Sequence, residues 1–384
     1  MQSAITQIEI RCVETPQDQQ AFIDLPRLIY QNDRNWVPAL DSTVAEIFDS
    51  NHPFFEYGEM ECFLAFRHNQ LVGRVASVIN RRLIALEGKK VGLFGFFECF
   101  EDLTVAQALL EAVQQWLRDR GIEVVRGPID LSTDQRCLFL IDGFDSPPMF
   151  NTAYNPPYYP KFLEQLGWYK AKDAVAYILD VNSAPSKALS RGYEIAKKSG
   201  LTFRHINIAS EYFESECRQI YHLSKISYSN RNGSWNYNPS TEAEFLRNAQ
   251  QLRSLIDPNC IWIAEDPTKD KEMVGAIIGI PDYNLVLRHL NGRLNWCSQL
   301  KFLWYRRMID QGRVILIASR PDYRHKMVPL ALIYLILTNH SQSYKKYRRA
   351  ELSWVWEDNL PSRKLIEISG GKVYKTYRLY EKAL

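Results

Sequence analysis

The sequence predicts two α+β domains in tandem, each a mixed α/β sheet with helices packed on it. Three observations carry that expectation. LVGRVASVIN (71–80) and MVGAIIGIPD (273–282) are both alternating, β-branched strands that open on Val-Gly. FLEQLGWYKAKDAVAYILD (162–180) and LIEISGGKVYKTYRLYEK (365–382) each read as a short amphipathic helix stopped by glycine, then a strand bearing Tyr and Lys. Gly73 and Gly167 recur as Gly275 and Gly370, at offsets that agree to within one residue, which argues for duplication of a domain.

Each copy has one order of elements. A first strand (8–13; 201–206) precedes one or two helices and a pair of strands that form a hairpin. A further strand (91–97; 314–318) leads into a helix (104–120; 328–341) and another strand (123–126; 350–354). A helix between two strands implies a right-handed crossover, hence parallel pairing at the middle of the sheet. The helix at 104–120 is well signalled: Glu101 and Asp102 suit its positive end, Val105, Leu109, Val113 and Leu117 repeat on one face, and Gly121 stops it. A last helix and strand close each unit. The polar stretch NSAPSK (182–187) reads as the linker, dividing the chain into domains 1–182 and 188–384. The copies differ by a long loop near 129–157 in the first and an insertion near 284–310 in the second.

With 46% hydrophobic and 24% charged residues and a net charge of +3, the composition is that of an ordinary globular protein. Its basic residues are scattered, so nucleic-acid binding is not expected. The apolar runs fall short of a membrane span, and the N-terminus reads as a strand without a signal design. Seven cysteines without a C-x-x-C pair read as thiols of a reducing, cytoplasmic compartment. The histidines lack ligand spacing with one another or with cysteine, so no metal site is expected. No G-x-S-x-G elbow or dinucleotide fingerprint occurs.

Chemistry is expected at RVILIASRPDYRHKMVPLAL (313–332). A strand that feeds a helix through a tight loop aims the helix's free N–H groups at the loop, which suits an anion, and Arg324, His325 and Lys326 add matching charge. This layout resembles the acyl-CoA pyrophosphate loop of the GNAT superfamily (general-control-related N-acetyltransferases), Arg/Gln-x-x-Gly-x-Gly/Ala. Arg324 fits that pattern, while Met327 and Pro329 stand where small residues belong. NDRNWVPAL (32–40), FGFFE (94–98), YNPPYYPKFLEQLGW (154–168), ELSWVWEDNLPSRKLIE (351–367) and GGKVYKTYRLYEK (370–382) are similar to recurring phrases of a bacterial tandem double-GNAT group.

The resemblance implies two GNAT-like domains and an acyl-CoA-dependent N-acyltransferase. Acetyl-CoA or a longer acyl-CoA would lie on Leu316, Ile317 and Ala318, with its pyrophosphate at Arg324, His325, Lys326, Met327 and Val328. Glu351 would take the amine's proton, directly or through a water. Asn359 matches a polar position after the strand, where it also reads as a helix cap. Ile366 replaces the family's tyrosine acid, leaving Tyr374 or Tyr377 for that role. In the first copy Glu101 falls at a phosphate position, which implies a domain without cofactor.

Asn232, Trp235 and Tyr237 lie in a turn-rich loop that the resemblance places near the acceptor, and Tyr158 belongs to a rigid aromatic loop suited to a cleft wall. The segment 287–310 intersperses Arg288, Arg293, Lys301, Arg306 and Arg307 with Trp and Leu, as peripheral contact with a membrane or a lipid-like amine acceptor would require. A helix packed on its own domain with snorkelling arginines satisfies the same pattern. The sequence also admits a non-catalytic GNAT-like binding protein or a membrane-peripheral assembly protein.

Overall fold

The computed structural model describes residues 8–229, 240–293, 296–338 and 347–384. Its first half runs β1 (Glu9–Cys12), α1 (Pro16–Ile29), α2 (Asp41–Ala45), β2 (Gly58–Arg67), β3 (Gln70–Asn80), α3 (Arg81–Glu87), β4 (Val91–Cys99), α4 (Leu103–Arg118), β5 (Val124–Gly127), β6 (Phe139–Asp142), α5 (Tyr158–Gln165) and β7 (Tyr169–Asp180). The second half runs α6 (Lys187–Lys198), β8 (Thr202–His205), α7 (Ser210–Ser229), α8 (Glu242–Leu252), β9 (Ile261–Asp266), β10 (Glu272–Pro281), α9 (Asn284–Leu287), α10 (Trp296–Tyr305), β11 (Gln311–Ser319), α11 (Val328–Thr338), β12 (Arg349–Trp356), α12 (Leu360–Ile368) and β13 (Lys372–Ala383).

Local chemistry sets many of these boundaries. Thr15 with Asp18 and Thr241 with Glu244 form capping boxes that start α1 and α8. Asp102 accepts from the Thr104 and Val105 N–H groups and starts α4, and Gly121 follows that helix at φ +72°. The repeated Val-Gly also has a packing reason. A Cβ on Gly73 would stand 2.7 Å from Leu109 Cδ1 of α4, and one on Gly275 would stand 2.4 Å from Val328 Cγ1 of α11. In both halves the crossover helix therefore lies directly on a strand backbone, and only glycine leaves it room.

The expected parallel pairs form: β4 with β5 over Val91–Leu93, and β11 with β12 over Gln311–Val314. The closing strands depart from the expected plan. Among the described residues the sheet has 13 strands, in the order β1-β2-β3-β4-β5-β13-β7-β12-β11-β10-β9-β8, with β6 also on β13. The last strand of the second half thus pairs with β5 of the first, Tyr380 facing Gly127. The last strand of the first half pairs with β12 of the second, Leu179 facing Ala350. Each exchanged strand supplies the ladder partner that the free edge of β5 or β12 needs. The β5–β13 junction is further held by Arg126, whose buried guanidinium binds Glu381 of β13 at 2.5 Å and Glu87 at 2.8 Å.

A second junction forms at Asp282, after β10. Its buried carboxyl accepts from Phe150 N at 2.8 Å, Gln311 Nε2 at 2.8 Å and Asn284 N at 3.2 Å. Burial outweighs those donors and pushes its pKa up to about 6. A carboxyl whose folded pKa is raised binds its proton more tightly in the folded state. Its stabilisation is full in acid and is lost as pH rises through about 6. Relative to Asp282→Asn, the native chain should therefore gain about 2 kcal/mol between neutral pH and about pH 4.5. Urea unfolding of both proteins at the two pH values measures this, and a constant difference would refute it.

Candidate functional site

The two parallel pairs are short, and beyond them the strands diverge into forks. In the second half β11 stays on β10 while β12 leans to β7. Ile278 faces Leu316 and Gly279 faces Val314, so Ile315 is the extra residue of a bulge that turns β11 toward the gap. The fork opens into a cavity of 1890 Å³ that runs between the two halves.

At one end the cavity reaches the start of α11, where Arg324, Met327, Pro329 and Leu330 line it. Met327 sits at φ +58° and ends the turn Pro321–Lys326, so α11 begins at Val328. Among the described residues no side chain caps the Val328 or Leu330 N–H, and Pro329 has none to offer. Arg324 donates to Ser227 O at 3.2 Å and keeps its side chain on the cavity. Lys326 turns instead to Asp266, at 3.8 Å, over the ring of Tyr323, and His325 is exposed outside the lining. Leu316 and Ile317 line the cavity, whereas Ala318 and Val328 are buried beneath it.

Farther along the wall stand Arg313, Ser353 and Asn359. Arg313 faces Glu351 in the β11–β12 register, and Ser353 follows Glu351 on the same face of the strand. The result is a closed network. Arg313 Nε donates to Ser353 Oγ at 2.7 Å and lies 3.4 Å from Glu351 Oε1, and the Ser353 hydroxyl donates to that same oxygen. Tyr374 donates to Glu351 Oε2 from the exchanged strand β13. Burial and the Glu351 carboxylate hold the Tyr374 hydroxyl far above its ordinary pKa, so it stays a donor. Glu351 is fully buried and touches the cavity through Ser353; Tyr374 also lies behind the lining. Asn359 lines the cavity while its side chain accepts from Ser362 N at 3.4 Å at the start of α12. Tyr158 donates to Cys99 O at 2.9 Å, away from the cavity. Asn232, Trp235 and Tyr237 lie outside the described residues.

The first-half fork is built differently. Segment 128–138 enters it, with Ile129 N on Phe94 O at 2.8 Å and Phe96 N on Asp130 Oδ1 at 2.7 Å. Asp102 already occupies the start of α4 and is paired with Arg67, so the helix end carries its own anion. A buried polar cluster faces the cavity here, which sequence reasoning missed. Glu98 accepts from Tyr30 at 2.8 Å and Tyr159 at 2.9 Å, and Arg136 lies 3.3 Å from both Glu98 and Asp130. Arg74 stacks on Phe22, and burial lowers its pKa to about 10. The available signal was a carboxylate ending the apolar run FGFFE. Among the described residues no three His, Cys, Asp or Glu side chains cluster as a metal site would need.

Comparison with known proteins places this geometry. No protein-family model matches the chain. It is similar to the bacterial ceramide synthase of Caulobacter vibrioides, with 30% identity over 381 residues covering 97% of this chain and 96% of that protein. It is similar to the protein YghO of Escherichia coli, with 31% identity covering 98% and 95%. Among solved structures, a tandem GNAT protein from the clavulanic acid biosynthesis pathway superposes with a TM-score of 0.58 at 10% identity, covering 98% of each chain. A GNAT structure from Sphaerobacter thermophilus gives 0.53 at 15% identity, covering 98% and 95%. The chain belongs to the family of these two bacterial proteins, and its fold is the tandem GNAT fold. In this chain the fork left unfilled, the β11 bulge and the uncapped helix start all fall in the second half.

Arg313→Met should destabilise the fold by about 3–5 kcal/mol, because it strands the Glu351 carboxylate without its cation. Arg313→Met combined with Glu351→Gln should recover part of that loss. Urea unfolding of the three proteins checks this, and equal stability of single and double variants would contradict it.

Proposed function

We propose that this tandem GNAT protein is an acyl-CoA-dependent N-acyltransferase whose acceptor is a lipid-like amine, with the chemistry in residues 188–384. The observation that carries the proposal is one continuous cavity joining the open start of α11 to Ser353 and to a long apolar interior. Its 1890 Å³ exceeds the roughly 300–1,000 Å³ of an ordinary small-molecule site, which suits two hydrocarbon chains better than an acetyl group and a small amine. The likeness to a protein named ceramide synthase supports the same acceptor class.

The residues present fit an acyl-CoA. Arg324 and the Leu330 N–H, where the start of α11 lines the cavity, would hold its pyrophosphate, and the backbone of 315–317 its pantetheine arm. Bound there, it supplies an acyl group activated as a thioester. The rest belongs to the chain. Ser353 Oγ, on the cavity wall, receives the proton released by the amine and passes its own to Glu351 Oε1. Tyr374 and Arg313 fix that carboxylate from either side, and Asn359 holds the start of α12, whose Leu365 and Ile366 line the cavity. The apolar walls orient the two chains, and that positioning supplies much of the rate.

Met327 and Pro329 favour a second reading, a lipid-binding protein without turnover, because one crowds the anion site and the other removes a donor. A long-chain amine is a membrane solute, so on the leading reading the protein works from the cytoplasm at a membrane surface.

Incubation with acyl-CoAs of increasing chain length and a long-chain amine, followed by mass spectrometry of the amide, separates the two. Glu351→Gln should lower kcat about 100-fold or more with KM little changed. Arg324→Ala should raise KM for acyl-CoA about tenfold. Absence of product with every acyl-CoA would leave the binding-protein reading standing.

A further inference from the structure

Helix α10 packs inward by one face and leaves the other uncovered. On α10 the inward residues are Ser298, Phe302 and Tyr305; Phe302 stacks on Tyr283 at 5.8 Å and Tyr305 on His289 at 3.8 Å. The opposite face holds Trp296, Leu300, Leu303 and Trp304, spaced i, i+4, i+7 and i+8, so they form one stripe. They are 74%, 61%, 54% and 66% exposed, and Met308 just beyond is 63% exposed. A helix apolar on both faces, with the outer one bare, is not what packing on its own domain produces.

The surrounding charge selects what covers it. Between Tyr283 and Ile309 the chain has five Arg and Lys residues and neither Asp nor Glu; Arg288, Arg293, Lys301, Arg306 and Arg307 are all exposed. Arg293 lies 3.9 Å from Asp41, and the other four cations of the segment leave two tryptophans and two leucines among basic side chains, which match the apolar boundary and anionic headgroups of a bilayer. The patch is also continuous with the cavity, because Gln299, Phe302 and Leu303 of α10 line it.

We infer that α10 seats this protein on an anionic lipid bilayer, with Trp296, Leu300 and Trp304 in the acyl boundary and Arg306 and Arg307 on the headgroups. So seated, the edge of α10 at Phe302 and Leu303 meets the membrane. A long-chain acceptor passes from bilayer to cavity along an apolar path, its hydrocarbon never crossing water. The delivery role rests on the acyltransferase reading; the docking does not.

Flotation of the full chain with phosphatidylcholine vesicles, with and without phosphatidylglycerol, tests the docking without any turnover. The chain should float with the anionic vesicles and stay at the bottom with the zwitterionic ones. Trp296→Ser combined with Trp304→Ser should abolish flotation, and Arg306→Gln with Arg307→Gln should weaken partitioning about thirtyfold. These side chains are exposed, so circular dichroism should be unchanged. No flotation, equal flotation of the tryptophan variant, or a dimer by light scattering that the tryptophan substitutions dissociate would each overturn the inference. So would saturable retention on an acidic carrier protein in place of the anionic vesicles. Acylation of a detergent-dispersed amine by the same variants should be unimpaired, so loss of docking and loss of chemistry are read separately.

Discussion

The ladder between β7 and β13 is the contact on which the rest of the molecule depends. These are the closing strands of the two repeats, paired antiparallel from Lys372 opposite Ile178 to Glu381 opposite Tyr169. Each also satisfies the free edge of a strand from the other repeat, so the halves share one sheet and one set of backbone hydrogen bonds. The exchange sets the two forks four strand spacings apart, roughly 19 Å along the sheet. It brings Tyr374 of β13 to Glu351 of β12, and it sets the Phe150 and Asn151 carbonyls of the first half against Arg313 of the second. The candidate chemistry is thus assembled from both copies.

Within that shared frame the repeats have diverged by electrostatics. The crossover helix of the first half begins on its own carboxylate, Asp102, neutralised by Arg67, and its fork is entered by 128–138. The corresponding start of α11 carries no acidic side chain and brings Arg324, Met327 and Leu330 to the cavity. A helix end can stabilise one anion well, and a covalently attached one competes at very high effective concentration. The first half instead adds a paired polar cluster, Arg74, Glu98, Asp130 and Arg136, to the far wall of the same cavity.

The insertion in the second repeat follows the same economy of surfaces. Its inner face completes a small core with Tyr283, Val286 and Ile309, and its outer face is left for something apolar outside the chain. Two exposed tryptophans and two exposed leucines thus gather on the helix that also lines the 1890 Å³ cavity, so on the proposed reading the acceptor and the surface that supplies it meet.

The sequence by itself determined what depends on neighbours along the chain. The strand periodicity, the glycine stops, the duplication, the Asp102 cap and the basic turn at Arg324 follow from local sterics and hydrogen bonding. The paired Val-Gly was legible as a repeat; its reason, a helix lying on the strand, was not. Glu351 and Ser353 were legible as sharing a strand face, yet Arg313 and Tyr374 come from strands distant in the chain. Only the tertiary structure decided which edge each closing strand joins, because an alternating strand satisfies any antiparallel partner equally well by its own pattern. It alone decided, too, that the stripe on α10 faces outward: an apolar face identifies itself in sequence, but what covers it is settled by the space left after everything else has packed.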